Sequence, residues 1–402
     1  MPKKTIEHVE VASSTVLMRV DFNVPLDDAG QITDDLRIRM ALPSIKSVID
    51  RGGRLILISH LGRPEGKGVE PSLSLKPIAD RLGQLLDGAK VRFVPDDCVG
   101  SQATEAVAAL SDGQVLVLEN LRFDAGEKKG DKEFAAKLAA LAHIYCNDAF
   151  GTAHRNDASM VAVPQAMSGK PRVAGLLMDK ELSFLSETLR SPKKPFVAVL
   201  GGAKVSDKLG VLHNLMGKVD TILMGGAMSY TLLKALGFDM GSSMVQLGML
   251  KQAQQIIDEA AASPTDLILP NDHVCGKQIS RMTPMKICKD SIESGWMGLD
   301  IGPETVSQFV EEIRKAKTIL WNGPMGVFET KPFDVGTKQI AEAIAQATDS
   351  GAVSIIGGGE TAAAVDEFGL AERFSHISTG GGASLQMLEG KEFASVNLLE
   401  KA

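Results

Sequence analysis

The sequence predicts an α/β protein built as two lobes, each a parallel sheet flanked by helices and joined to the other by a helical hinge. Three observations carry this. Short apolar runs alternate with amphipathic helical patterns, which is the arrangement of a parallel sheet covered on both faces. At 402 residues the chain exceeds what one core serves well, so two domains are expected. Near the middle, residues 178–190 place Leu182, Leu185 and Leu189 between charges, then run out through Ser191-Pro192-Lys193-Lys194-Pro195. An amphipathic helix with a Pro-rich exit marks a domain boundary and suits a hinge.

In the first half one theme repeats: an apolar strand ending in polar or basic residues. Thr15-Val-Leu-Met-Arg-Val ends in Asp21-Phe22-Asn23-Val24-Pro25. Arg37 and Arg39 follow, just before a helix expected over 41–51 that Pro43 opens near its first turn. Arg54-Leu-Ile-Leu-Ile-Ser ends in His60-Leu61-Gly62-Arg63-Pro64, and Gln114-Val-Leu-Val-Leu ends in Glu119-Asn120-Leu121-Arg122. His143-Ile-Tyr-Cys-Asn-Asp148 leads to Ala149-Phe-Gly-Thr-Ala-His-Arg155. Helical patterns over 75–86 and 132–141 separate the strands. A single arginine normally belongs on a solvated face. Arg37, His60, Arg63, Arg122 and Arg155, all near strand carboxyl ends, read instead as one cluster, because the guanidinium fork binds carboxylate or phosphate bidentately. A small, highly charged organic phosphate fits it.

The second half begins with Phe196-Val-Ala-Val-Leu, a buried strand that breaks at Gly201-Gly202 and leads toward a helix near Ser206, capped by Ser206 or Asp207. Such a turn presents backbone N–H groups to an anion, and Lys204 and Lys208 add two cations. Three more strands run into glycines: 221–224 into Gly225-Gly226, 352–356 into Gly357-Gly358-Gly359-Glu360-Thr361, and 376–379 into Gly380-Gly381-Gly382. Several close backbone approaches are what a phosphate chain needs. Thr318-Ile-Leu-Trp ends in Asn322-Gly323-Pro324-Met325-Gly326-Val327-Phe328-Glu329, a further strand-end loop, and Asp300-Ile-Gly-Pro303 turns into a helix over 304–315. Residues 271–277 read as another strand-end loop with no assignable chemistry.

Composition excludes several classes. Aromatics at 4% argue against stacking platforms for single-stranded nucleic acid, and a formal charge of −7 argues against a general nucleic-acid or anionic-membrane surface. Cys98, Cys146, Cys275 and Cys288 show no C-x-x-C spacing and read as reduced, buried thiols. The start Met-Pro-Lys-Lys-Thr has no apolar stretch behind it, and no run reaches about 18 apolar residues. A cytoplasmic protein is expected. Two motifs fail. Gly357-Gly-Gly-Glu-Thr-Ala362 fits the dinucleotide fingerprint but lacks the acidic strand end about 20 residues on. Gly62-Arg-Pro-Glu-Gly-Lys67 is one residue short of a Walker A loop and lacks its Ser/Thr. A dehydrogenase is therefore disfavoured.

Seven stretches carry a family resemblance: Arg19-Val-Asp-Phe-Asn-Val-Pro25, Ser59-His-Leu-Gly-Arg-Pro64, Glu119-Asn-Leu-Arg-Phe123, Asn147-Asp-Ala-Phe-Gly-Thr-Ala-His-Arg155, Leu200-Gly-Gly-Ala-Lys-Val205, Trp321-Asn-Gly-Pro324 with Gly326-Val-Phe-Glu329, and Ser378-Thr-Gly-Gly-Gly-Ala-Ser384. In order and across essentially the whole chain, they resemble the signatures of the phosphoglycerate kinases. The resemblance implies two Rossmann-like lobes and transfer of a phosphoryl group from 1,3-bisphosphoglycerate to MgADP, giving 3-phosphoglycerate and MgATP. It implies a substrate domain over 1–177, a hinge over 178–195, a nucleotide domain over 196–382, and a segment over 383–402 that returns to the first domain.

By resemblance, Asp21, Asn23, Arg37, His60, Arg63, Arg122 and Arg155 bind the glycerate. Gly202, Gly225 and Gly226 line the adenosine pocket, Glu329 holds the ribose, and Lys208, Asn322, Gly358, Gly359, Glu360 and Thr361 meet nucleotide and metal. Arg37, Lys204, Lys208, Gly381 and Gly382 are the catalytic candidates, since phosphoryl transfer needs alignment and charge neutralisation more than covalent help. Donor and acceptor on different lobes require the lobes to close. One residue departs from the pattern: the family's usual aspartate after three glycines, a magnesium ligand, is here Glu360. Partners are expected to be small molecules only, with no nucleic acid or membrane, and the protein a monomer. A relative that only binds nucleotide or serves as a scaffold is the alternative, which loss of a basic-cluster residue would have favoured; none is missing.

Overall fold

The computed structural model describes residues 2–402, for 186–190 the backbone alone. Fifteen strands form three sheets: β1 (Thr15–Arg19), β2 (Arg54–Ile58), β3 (Val91–Val94), β4 (Val115–Leu118), β5 (Ile144–Asn147), β6 (Arg172–Ala174), β7 (Phe196–Leu200), β8 (Thr221–Met224), β9 (Asp266–Ile268), β10 (Asp272–Gly276), β11 (Met285–Lys289), β12 (Met297–Ile301), β13 (Thr318–Asn322), β14 (Val353–Gly357) and β15 (His376–Ile377). The chain divides into two compact units. One comprises the residues up to Ser183 together with Glu392–Ala402, the other Phe184–Lys391. The boundary falls within the helix Leu176–Arg190.

In the first unit six strands lie in the order β3-β4-β2-β1-β5-β6, every pair parallel. β1 is buried along its whole length, as a strand covered by helices on both faces must be. Val16, Met18, Leu55, Leu57, Val115 and Val117 pack against Ile38, Ile45 and Val48 of one helix and Ile78 and Leu82 of another. Because β4, β2, β1 and β5 are neighbours, the four loops at their carboxyl ends share one edge of the sheet. That is where an open parallel sheet places its ligands.

The second unit repeats the plan with six parallel strands in the order β15-β14-β13-β7-β8-β9. Its core sets Val197, Val199, Ile319 and Trp321 against Phe309, Ile313, Ile340 and Ile344. The same unit carries a three-stranded antiparallel sheet, β11-β10-β12.

Four readings of local structure are corrected. The first long helix spans Leu36–Ile49 and not 41–51, so Pro43 sits inside it and Arg37 lies on its first turn. Its start is set by the acidic pair before it, where Asp34 Oδ1 accepts from the Leu36 N–H at 2.8 Å. The stretch 271–277, read as a loop, contains β10 (Asp272–Gly276) of the antiparallel sheet. Neither Ser206 nor Asp207 caps a helix: both lie in a 3-10 turn, and the helix Leu209–Leu215 begins after Lys208. The glycine pair after β7 offers no bare amides, as the next subsection describes. All four cysteines are free and buried. Among the described residues no helix is long and apolar enough to cross a membrane.

Candidate active site

At the carboxyl edge of the first sheet the loops are tied to one another before any ligand is considered. Asn23 Oδ1 accepts from the Gly62 N–H at 2.8 Å, and Arg122 Nη1 donates to the Gly62 carbonyl at 2.9 Å. Gly62 has φ 63°, and a Cβ there would meet the Leu73 side chain at 2.6 Å, so the turn requires glycine. Buried Asn120 accepts from the Leu61 and Arg122 N–H groups and donates to the Leu61 and Leu73 carbonyls. The loops after β1, β2 and β4 therefore move as one piece.

On this frame stand the basic residues. Arg37 Nη1 pairs with Asp21 Oδ2 at 2.7 Å, leaving Asp21 Oδ1 buried without a partner. Arg122 is buried, 3.5 Å from Asp157 Oδ2, and its Nε has no partner. Arg155 is half-buried and Arg63 exposed. Burial lowers the Arg122 pKa from its usual value, with the Arg155 charge as the next cause. His60 is buried, and its imidazole is held well below the usual histidine range by burial first and then by Arg19, Arg122, Arg155 and Arg37. Four arginine charges act on one imidazole, which favours its neutral form and attracts an anion to the site.

Behind this layer lies a second one that the sequence reading did not single out. Arg19, Glu127 and Ser159 are fully buried. Arg19 donates to Ser159 Oγ at 2.9 Å and approaches His60 Nδ1 at 3.1 Å, while Ser159 Oγ donates to Glu127 Oε1 at 2.6 Å. One signal was available: an arginine ending an otherwise apolar five-residue strand is anomalous, because a lone buried charge is costly. Asp148, next to β5, accepts from the Leu177 and Met178 N–H groups at 2.9 and 3.1 Å and so holds the start of the helix Leu176–Arg190. Burial pushes its carboxyl up to about 7.

In the second unit the glycines after β7 and β8 serve backbone packing. Gly201 and Gly202 donate to the Asn322 and Pro324 carbonyls, both at 3.0 Å, and Gly226 donates to the Met325 carbonyl at 3.1 Å. A Cβ on Gly226, at φ 66°, would lie 2.5 Å from the Gly202 nitrogen. The loops after β7, β8 and β13 thus close on each other through bare backbone.

Lys208 is buried and donates to Asn322 Oδ1, while Asn322 Nδ2 is buried without a partner. Burial pushes the Lys208 ammonium down to about 8, against the opposing charges of Glu360, Asp207 and Glu389. Two helices of this unit begin at glycines with positive φ and no side-chain cap: Gly359–Glu367 after Gly358 at φ 89°, and Gly382–Leu388 after Gly381 at φ 48°. Uncapped amides at a helix start are unsatisfied donors that an anion can fill. Thr361 Oγ1 accepts from the Gly323 N–H at 2.7 Å, which joins the β14 turn to the β13 loop. Lys204, Glu329 and Glu360 are exposed.

The family model for phosphoglycerate kinase matches residues 6–391. The chain is 56% identical over 405 residues to the phosphoglycerate kinase of Rhodopirellula baltica, covering 100% of both chains. It is 52% identical over 398 residues to that of Thermosipho africanus, covering 98% and 97%. Among solved structures it is similar to phosphoglycerate kinase from Coxiella burnetii, with TM-score 0.90, 38% identity and coverage of 99% and 98%. The Pyrococcus horikoshii enzyme gives 0.84, 33% and 98% of each chain. Matched by that family model over residues 6–391 and 56% identical to a relative along its whole length, the chain belongs to the phosphoglycerate kinase family.

Proposed function

We propose that the strand-end cluster of the first unit binds 3-phosphoglycerate and that of the second binds the nucleotide, in the reversible transfer this family catalyses. The reaction moves the acyl phosphate of 1,3-bisphosphoglycerate to MgADP, giving 3-phosphoglycerate and MgATP. The observation that carries the assignment is buried His60 at a strand end, 3.1 Å from Arg19 Nη2 and under the charges of Arg122, Arg155 and Arg37 as well. Such a field attracts a ligand with several negative charges. Asp21, Asn23 and Arg63 complete this site.

In the second unit Gly202, Gly225 and Gly226 form the packed backbone floor beneath the adenosine, and Glu329 hydrogen-bonds the ribose. Lys208 and the Asn322 amide face the phosphates, together with the amides that open the helices at Gly358, Gly359 and Thr361 and at Gly381 and Gly382. Arg37 and Lys204 neutralise the equatorial oxygens of the transferring group. These groups supply alignment and charge, which is most of what phosphoryl transfer asks of a protein.

The residues present also fit Mg²⁺. Among the described residues no three acidic, histidine or cysteine groups gather to form an ion cage, and Glu360 offers one exposed carboxylate at the start of a helix. One carboxylate beside a phosphate chain is the donor set this ion takes when water and substrate complete its shell. Bound with the nucleotide, the ion neutralises charge on the phosphate oxygens. On this reading the protein acts as a monomer in the cytoplasm on dissolved small molecules.

A coupled assay with 3-phosphoglycerate and MgATP tests the reading. Turnover that fails when Arg122 or Lys208 is replaced supports the two sites. Normal turnover by both variants overturns them.

A further inference from the structure

We propose that Arg19 is a positioning residue that holds His60 as a neutral imidazole with its proton on Nε2, so that His60 meets the substrate as a fixed hydrogen-bond donor and not as a cation. This rests on the assignment of His60 to the 3-phosphoglycerate site made above.

The hydrogen bonds of the buried layer fix the tautomer. A guanidinium has five donors and no acceptor. Arg19 Nη2 lies 3.1 Å from His60 Nδ1, so Nδ1 must accept and carries no proton. The ring's proton is then on Nε2, the nitrogen directed away from Arg19. The other side of Arg19 is fixed in the same way. Its Nε donates to Ser159 Oγ at 2.9 Å, and the Ser159 hydroxyl spends its hydrogen on Glu127 Oε1 at 2.6 Å. Glu127 also accepts from the Ser159 N–H at 2.9 Å. From Glu127 to His60 every direction is determined, and Arg19, Ser159 and Glu127 are all fully buried. A guanidinium so held cannot turn away from the imidazole without leaving a buried donor or acceptor unmade, which is expensive.

A second proton would have to enter at Nδ1, donor against donor. The neighbouring charges oppose it too. The charges of Arg19 at the end of β1, Arg122 beyond β4, Arg155 beyond β5 and Arg37 on the helix Leu36–Ile49 all act against a cationic ring. The acidic groups nearby are engaged elsewhere: Asp21 with Arg37, Asp157 with Arg122, and Glu127 with Ser159. An anionic ligand attracts a proton to the site, but the bond from Arg19 has to break before Nδ1 can take it. The arginines thus supply the charge, and His60 supplies one directed donor whose strength does not change near neutral pH. Most histidines titrate in that range.

The test reads the ring directly. In full-length protein labelled with ¹⁵N-histidine, the His60 signals are assigned by difference against His60→Gln, since the chain has seven histidines. The expected spectrum shows a protonated Nε2 and a bare Nδ1 from about pH 5 to 8, with and without saturating 3-phosphoglycerate. A proton on Nδ1, or a doubly protonated ring when the ligand is bound, overturns the inference while leaving the site assignment standing. The right tautomer with signals that ignore 3-phosphoglycerate overturns the site assignment and the donor role with it.

Two pairs of variants extend the test. His60→Gln keeps a neutral donor near the Nε2 position and His60→Asn does not. The first should therefore bind 3-phosphoglycerate roughly tenfold or more tightly than the second, whereas equal loss would identify His60 as a cation. Arg19→Met frees Nδ1 and should bring a histidine titration into the kcat/KM profile that Arg19→Lys, which keeps a donor, suppresses. A profile without that titration in folded Arg19→Met overturns the role given to Arg19. If Arg19→Met does not fold, the spectra and the His60 pair decide.

Discussion

Lys208 donates its ammonium hydrogen bond to Asn322 Oδ1, joining the loop after β7 to the end of β13, and both side chains are buried. The pair holds a cation out of water. Burial lowers the Lys208 pKa from 10.5 to about 8, a cost to the folded, ligand-free protein of about 3 kcal/mol at neutral pH. The sign is that of a depressed lysine. The cost is fully present below about pH 8, and stability from this group rises between about 8 and 10.5, where the unfolded chain still holds the proton.

Lys208→Met should therefore raise the melting temperature of the free protein at pH 7 by a few degrees, because the lost bond to Asn322 offsets only part of the relief. The same variant should bind MgADP roughly tenfold to a hundredfold more weakly. In the wild type, MgADP binding near pH 8 should take up a proton, seen as a calorimetric enthalpy that depends on the buffer. Lower stability in the variant, with no proton uptake in the parent, would reject the reading.

Arg63 tests the division of labour between the two units. It is exposed beyond β2, and its replacement should disturb nothing in the second unit. Arg63→Ala should weaken 3-phosphoglycerate binding by about 1.5–3 kcal/mol, the value of one charge-assisted contact. Calorimetry should find MgADP affinity unchanged. Equal loss for both ligands would sink the assignment.

Asp272, within the stretch read from sequence as a loop, has a structural task. It is buried on β10 and accepts from the Glu304 N–H at 3.0 Å and from the Thr305 N–H at 2.8 Å. A residue remote in sequence thus caps the helix Pro303–Lys315, whose own N-cap Gly302 makes no side-chain cap bond. Asp272→Ala should destabilise the protein by about 2 kcal/mol, measured by denaturant unfolding, while the KM values for both substrates stay as they are. Changed KM values at normal stability would place Asp272 in the chemistry instead.

Asp272 also shows where sequence reasoning stopped. Strands such as β1, β2, β7 and β13 were legible because continuous apolar runs buried on both faces leave few alternatives. Residues after them stood out as a candidate site because basic groups recur at equivalent strand ends. β10 was not, since its Asp and His are polar residues buried by partners remote in the sequence, and no local pattern announces a distant cap. β11 alternates exposed Met285, Ile287 and Lys289 with buried Cys288, a weak signal over five residues. Arg19 stood within a recognised motif, yet its task depends on Ser159 and Glu127, which only the fold brings to it. The Gly201-Gly202 pair misled for a related reason. Glycine allows close approach without saying whether phosphate or backbone makes it, and here the backbone of 322–325 does.

Glu360 carries the last prediction. It stands exposed one residue into the helix Gly359–Glu367, and its charge acts on Lys208. If this carboxylate takes the family aspartate's part, Glu360→Ala should lower kcat strongly while leaving 3-phosphoglycerate binding intact, because a misplaced ion is felt most as charge shifts in the transition state. Glu360→Asp should keep activity and alter the preference between Mg²⁺ and Mn²⁺, since removing one methylene changes the reach to an ion that demands near-ideal geometry. The competing role is electrostatic support of the helix start, which an acidic side chain in the first turn supplies at about 0.3–1 kcal/mol. Titrating Mg²⁺ separates the two. A metal role raises the Mg²⁺ concentration needed for half-maximal rate in Glu360→Ala, whereas a structural role lowers the melting temperature slightly and leaves that concentration where it was.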